Sequence, residues 1–186
     1  MRVDSIRIRP AVLPDAASIA QVHVETWRSA YAGIVPDAYL VGMTVPGQTR
    51  AWQRHITARG WAGSVLVADV PEAGEHSVVG FGSCGTLRGE AVPYKAEIYT
   101  LYVSPDWQGQ GIGRALLGGL FEALLRSDLT SVFLWVLSDN PSRFFYEAMG
   151  GLRVAERRER FAGTQLDETA YAWSDLRGWL SERRRT

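Results

Sequence analysis

The chain has 186 residues, with 20 basic and 20 acidic side chains and a formal net charge of +0 at pH 7. Its length suits one domain over residues 1–186, no apolar run reaches membrane-spanning length, and the balanced charge offers no general attraction for nucleic acid or an anionic membrane. Because the single Cys84 excludes an internal disulfide, the composition favours a cytoplasmic setting, and three histidines without ligand spacing predict no metal site.

The first half of the chain predicts a strand, two helices and then three strands. Polar and apolar residues alternate over residues 5–9, which is typical of a strand with one buried face. Pro14 is a favourable first residue for a helix that continues to about Tyr31, and a second helix includes residues 48–58. Three runs rich in β-branched and aromatic residues predict strands, at 64–69, 77–83 and 97–103.

The second half predicts helix, strand, helix and two final strands. A leucine-rich helix includes residues 116–125, and a short, almost wholly apolar run at 132–137 indicates a buried strand. Another helix begins near Pro141, and a polar turn between residues 153–161 and 166–173 predicts a terminal β-hairpin. This order predicts an α/β fold in which a mixed sheet carries helices on both faces.

A glycine-rich turn joins the strand at 97–103 to the leucine-rich helix. Its sequence is Gln-Gly-Gln-Gly-Ile-Gly-Arg, residues 108–114. Glycines lack Cβ atoms, so the backbone can bend sharply here and approach a ligand closely. The unpaired N–H groups at the helix start and the helix dipole favour negative charge, which makes a pyrophosphate the predicted occupant. The alternative is that the glycines only form a tight strand-to-helix connection.

The glycine pattern differs from two common phosphate sites. A nucleoside-triphosphate loop needs a Gly-Lys-Ser/Thr ending, and a dinucleotide fingerprint needs glycine at Arg114. What remains is Gln108-x-x-Gly111-x-Gly113 directly after a Leu-Tyr-Val strand, which closely resembles the coenzyme A signature of the GCN5-related N-acetyltransferase (GNAT) superfamily. The resemblance covers nearly the whole chain and implies a single-domain fold of the α+β type, with a mostly antiparallel sheet of six to seven strands.

The resemblance also implies acetyl-CoA as the cosubstrate and a set of residues that bind it. These are Leu101, Tyr102, Val103, Gln108, Gly109, Gln110, Gly111, Ile112, Gly113, Arg114, Asn140 and Phe145. The acceptor would be a primary amine of a small molecule or peptide, and homodimers are common in the superfamily. The alternative function is a degenerate member that binds acyl-CoA as a sensor and transfers nothing.

A second segment, residues 140–150, is similar to the Asn…Phe-Tyr-Glu-x-x-Gly pattern of the superfamily. The resemblance places Tyr146 near the thioester sulfur and Asn140 at the pantetheine. The interval between them is one residue shorter than in many members, and Gly151 stands where many have phenylalanine, so Tyr146 carries over better than Asn140. The alternative is that Tyr146 only packs beside its neighbouring phenylalanines.

Acetyl transfer to an amine needs a neutral amine, donors for the developing oxyanion and a proton for the leaving thiolate. The resemblance makes Glu97 the candidate base, acting through a water, because Trp135 stands where many members carry a glutamate. A backbone N–H near Tyr102–Val103 would hold the oxyanion, and Tyr146 would protonate the thiolate. The alternative for Glu97 is a surface carboxylate paired with Lys95 or another cation.

Three aromatic residues are candidates for the acceptor pocket. Trp27 and Tyr31 lie four residues apart on one helix, and in related proteins this region forms a wall of the acceptor groove. Trp107 flanks the glycine loop. Packing in the core is the alternative for all three.

Overall fold

The computed structural model describes residues 6–58, 64–71, 77–89 and 92–183. Its described strands form one seven-stranded sheet in the order β1-β2-β3-β4-β5-β7-β6. All neighbours are antiparallel except β4 and β5, which run parallel. The strands are β1 Arg7–Pro10, β2 Ser64–Asp69, β3 Val78–Gly85, β4 Ala96–Val103, β5 Val132–Leu137, β6 Leu152–Phe161 and β7 Thr164–Trp173.

Helices cover both faces of the sheet. They are α1 Ala16–Ala30, α2 Asp37–Gly42, α3 Val45–Thr57, α4 Ile112–Leu125, α5 Arg143–Ala148 and α6 Leu176–Arg183. Successive residues of β2 point to opposite faces, so Val67 packs in a cluster with Ile19 of α1 and Trp52 of α3. Its neighbour Leu66 belongs to the larger cluster around Leu116 of α4. None of the helices in the described ranges has the length and apolar character needed to cross a bilayer.

The predicted α/β fold, with its mostly antiparallel sheet and helices on both faces, is confirmed. Two short helices, α2 and α6, were not predicted. The hexapeptide of α2 is too short to show a helical period, and α6 is a polar segment that packs Leu176 against the α4 side of the core. The first strand begins at Arg7 rather than Ser5, which lies outside the described residues.

The pairing between β4 and β5 is unusually short. It comprises only Ala96 opposite Val132 and Glu97 opposite Phe133. Beyond these pairs β4 continues to Val103, whereas the other edge of β5 stays paired with β7 along its whole length. A shift in the β3–β4 register, which leaves Tyr99 as an extra residue in β4, adds a bend to that strand. The two strands therefore diverge and leave a gap in the middle of the sheet.

The backbone of Val103 points into this gap. The amide of the next residue, Ser104, donates to the carbonyl oxygen of Val79 at 2.8 Å, so it is directed toward β3. Successive residues of a strand direct their amide and carbonyl groups to opposite sides, which turns those of Val103 away from β3. The carbonyl oxygen of Val103 accepts instead from Nε2 of Gln108 at 3.0 Å and from Oγ1 of Thr26 at 3.5 Å.

Gly151 marks a close approach between α5 and β7. A Cβ atom added there would lie 2.8 Å from Cζ2 of Trp173 and 2.9 Å from the carbonyl oxygen of Tyr146. The indole of Trp173 is fixed in this position because its Nε1 donates to the carbonyl oxygen of Met149 at 3.0 Å. Trp173 therefore fills the space that a side chain at residue 151 would need, which explains glycine where the resemblance would place phenylalanine.

We expect Gly151→Ala to lower the free energy of unfolding by about 1–3 kcal/mol, because the methyl group meets backbone and a rigid indole. Urea denaturation followed by circular dichroism measures the change. The matched control is Gly42→Ala, at a site where an added Cβ meets nothing within 4 Å. Equal losses of stability in the two variants would contradict the packing assigned to Trp173.

Candidate active site

Two cavities meet at the gap between β4 and β5. The hairpin-side cavity, about 270 Å³, lies between α1, the diverging strands and the β6–β7 hairpin. The loop-side cavity, about 530 Å³, lies between the 108–114 loop and α5. Residues that line both are Leu101, Val103, Gln108, Ser142 and Tyr146. Two ligands that enter from different sides of the sheet can therefore meet beside β4.

The glycines of the 108–114 loop have two different structural roles. Gly109 and Gly111 have φ angles of +73° and +85°, a region that side chains strongly disfavour, and a Cβ added at either would meet nothing within 4 Å. A Cβ at Gly113 would instead lie 3.3 Å from Cζ of Phe145. The first two glycines thus shape an open concave backbone, and the third lets α5 approach α4. All three positions are glycine, so the sequence alone does not distinguish the residues that shape the loop from the one that allows the two helices to approach.

The start of α4 presents unpaired amides at the loop-side cavity. The first intrahelical bond runs from the amide of Ala115 to the carbonyl oxygen of Gly111, so the amides of residues 112–114 precede the ladder. Gly111 is the N-cap and has no capping side chain, and the first turn, all of it described, carries no acidic residue. This end of the helix suits an anion.

Tyr146 stands where the two cavities join. It is buried on α5, and its ring lies 5.3 Å from that of Phe145 and 6.1 Å from that of Tyr171, measured between centroids. Burial raises the pKa of the phenol well above its ordinary value, and Tyr31 raises it further. Tyr146 therefore keeps its proton at neutral pH and is available as a hydrogen-bond donor.

Asn140 and Trp107 line different cavities. Asn140 is buried beside the hairpin-side cavity, and its Oδ1 accepts from the amide of Ser142 at 2.9 Å, which fixes the entry to α5. Its contact with a coenzyme stays a prediction. Trp107 ends a 3₁₀ turn before the glycine loop and lines the loop-side cavity, whereas Trp27 and Tyr31 line the hairpin-side cavity. The structure therefore does not bring Trp107 together with Trp27 and Tyr31, and the part of each in an acceptor pocket stays a prediction.

Glu97 is buried at the closed end of the gap. Its Oε1 accepts from Nη2 of Arg88 at 2.8 Å, and its Oε2 accepts from the backbone amide of Arg88 at 3.0 Å. The alternative was a surface carboxylate paired with Lys95 or another cation. Its surface position is wrong, because the side chain is buried, and the cation that pairs with it is Arg88. Its role as a base stays a prediction.

Three residues of the hairpin-side cavity, two charged and one aromatic, carry no motif that marks them in the sequence. Arg157, Glu159 and Phe161 share one face of β6, and all three line this cavity. Arg157 pairs with Glu168 across the hairpin, Nε to Oε2 at 2.6 Å. The alternation of the predicted hairpin already places these three side chains on one face of a strand. Only the position of the hairpin beside the gap shows that this face lines a cavity.

A half-buried histidine supports the β4 side of the hairpin-side cavity. The ring of His23 stacks on that of Tyr102, with centroids 5.4 Å apart, and Nδ1 of His23 accepts from Nε1 of Trp52 at 3.2 Å. Burial lowers the pKa of His23 to about 4. By contrast, burial raises the pKa of the Cys84 thiol to about 12, so this side chain is an inert thiol at neutral pH.

The chain is similar in sequence to known proteins. The sequence pattern of the acetyltransferase (GNAT) family matches residues 25–151. A Bacillus subtilis (strain 168) protein named uncharacterized N-acetyltransferase YuaI is 39% identical over 171 residues, which cover 92% of this chain and 94% of that protein.

Two solved structures share the fold. PaiA N-acetyltransferase from Thermoplasma acidophilum, in complex with coenzyme A, has a TM-score of 0.65 at 20% identity and covers 89% of this chain and 98% of its own. YncA from Salmonella typhimurium, with its cofactor acetyl-CoA, has a TM-score of 0.65 at 23% identity, covering 93% of this chain and 95% of its own.

Acid should destabilise the protein through His23. Its pKa in the folded state, about 4, is below the ordinary value of 6.5. The contribution of the neutral ring to the free energy of unfolding is therefore fully present above pH 6.5 and is lost as the pH falls toward 4. The loss amounts to at most about 3 kcal/mol, at 1.36 kcal/mol per pKa unit. Urea unfolding midpoints measured across this range test it, and His23→Gln should show a weaker pH dependence. An identical pH dependence in both proteins would refute the assignment.

Proposed function

Because this chain belongs to the acetyltransferase (GNAT) family, we propose that it transfers an acetyl group from acetyl-CoA to a primary amine of a small molecule or peptide. The observation that carries the proposal is the meeting of two cavities at Val103 and Tyr146. Bound acetyl-CoA would supply the acetyl thioester. One cavity is then available for each reactant, and the shared residues lie where the reactants meet.

The 108–114 loop fits the diphosphate of coenzyme A. Gly109 and Gly111 leave open space where side chains would stand, and the amides of residues 112–114 lack intrahelical partners. The positive end of the helix dipole adds attraction for the phosphates. The apolar side chains of Trp107 and Phe145, which also line this cavity, suit the uncharged arm of the coenzyme.

Two groups of the chain would act on charge and protons at the junction. The amide of Val103 is directed into the gap, where it would donate to the acetyl carbonyl oxygen. Tyr146 holds its proton and would donate it to the departing sulfur.

Glu97 would accept the proton of the acceptor amine through a water. It lines the hairpin-side cavity at its closed end, and both of its oxygens are engaged by Arg88. Arg88 therefore fixes the direction of the carboxylate.

We further propose a single domain over residues 1–186, a cytoplasmic setting, a site that needs no metal and a homodimer.

Gly111→Trp should abolish coenzyme A binding, because an indole would occupy the concave backbone and residue 111 needs a positive φ. Isothermal calorimetry with coenzyme A measures the loss. Gly163→Trp is the control for strain, since Gly163 has a φ of +84° at the hairpin turn and lies away from the loop. Normal affinity in folded Gly111→Trp would refute the assignment of the loop.

Tyr146→Phe should lower turnover by about ten- to a thousandfold, the range expected for loss of a general acid, with little change in coenzyme affinity. A thiol-release assay with an amine panel measures turnover. Unchanged turnover in the folded variant would remove Tyr146 from the mechanism. Wild-type protein that binds acetyl-CoA but releases no thiol with any amine would favour the sensor alternative.

A further inference from the structure

Two arginines of the chain occupy cation-binding arrangements in the wall of the hairpin-side cavity. The guanidinium of Arg88 bonds Glu97 at 2.8 Å and lies 3.9 Å from the ring centroid of Tyr99. The guanidinium of Arg157 bonds Glu168 at 2.6 Å and lies 4.2 Å from the ring centroid of Trp135. In each case a carboxylate and an aromatic face hold one cation. The positive charges of this wall are therefore already compensated.

Glu159 is the third carboxylate of the cavity, and it has no such cation. It lies on β6 between Arg157 and Phe161, on the same face of the strand. Its side-chain carboxylate makes no ion pair or hydrogen bond with any described residue. Among the described residues that line the cavity, three carboxylates thus stand against two guanidinium groups. This excess of negative charge is local, because the whole chain is neutral.

An aromatic cluster stands next to Glu159. The ring of Phe161 lies 4.7 Å from that of Tyr39 and 6.0 Å from that of Trp27, between centroids. Trp27 in turn lies 4.7 Å from Tyr31. Phe161 is two residues from Glu159 on the same face of β6, so a carboxylate and aromatic rings, the two kinds of group that hold Arg88 and Arg157, recur here with no cation among the described residues.

We propose that the acceptor is a small amine with a second positive charge, and that Glu159 with Trp27, Tyr39 and Phe161 binds that second charge. The inference rests on the proposed acetyl transfer and names the acceptor class for the same site. One ammonium group would interact with Glu159 and the rings, while the other amine reaches the junction at Tyr146. An acceptor with a carboxylate would instead meet the unpaired Glu159 and find both guanidinium groups engaged.

The test compares pentylamine with cadaverine, the diamine of equal chain length, in a thiol-release assay with acetyl-CoA. Wild-type protein should show a kcat/KM for cadaverine about tenfold or more above that for pentylamine, equivalent to one cation–carboxylate contact supported by aromatic faces. In Glu159→Gln this preference should shrink by about tenfold, through a higher KM for cadaverine with kcat nearly unchanged. Raised salt should weaken the preference in the wild type.

The control is Glu156→Gln on the same strand. Glu156 pairs with Arg153 and does not line the cavity, so its loss should leave the preference for the diamine intact. Equal kcat/KM values for the two amines in wild-type protein would overturn the inference and leave acetyl transfer standing. A preference that survives Glu159→Gln, or acetylation confined to peptide N-termini, would overturn it too. No thiol release with any amine would overturn both proposals.

Discussion

The site depends on how little β4 and β5 pair with each other. Two parallel residue pairs hold them together at Ala96 and Glu97, after which each strand relies on its other neighbour. An unpaired strand edge inside a protein must find other hydrogen-bond partners. The side chains of Gln108 and Thr26 provide them for the carbonyl oxygen of Val103. The amide of Val103 is left directed into a gap that opens to two cavities, and every functional residue argued for above is arranged around this opening.

The parts of the site that could be predicted from the sequence are those with a local signal. The 108–114 loop joins a strand to a helix through glycines at fixed spacing, and a short segment around Tyr146 has a similar local pattern. In the structure, residues of both segments line the loop-side cavity. The order of the main strands and helices could likewise be predicted, because the spacing of apolar residues within each element reflects which of its side chains are buried.

The remainder depends on contacts between distant segments. Arg88 reaches Glu97 from a loop, and Trp173 fills the space beside Gly151 from β7, which no spacing along the chain reveals. Trp107 lines a different cavity from Trp27 and Tyr31 because of where the 3₁₀ turn that it ends places it. The neutral net charge of the chain gave no sign of the local excess of carboxylates around Glu159, because a net charge does not show which charged residues lie close together in the fold.

The most direct test of the account is amide hydrogen exchange with and without saturating coenzyme A. The amides of residues 109–114 and of Val103 have no described strand or helix partner in the free protein, so they should exchange fast and become protected when the coenzyme binds. Residues 45–57 of α3, none of which lines either cavity, should be unaffected. Unchanged exchange across 103–114 at saturation would contradict the claim that the divergence of β4 from β5 and the glycine loop together form the coenzyme site.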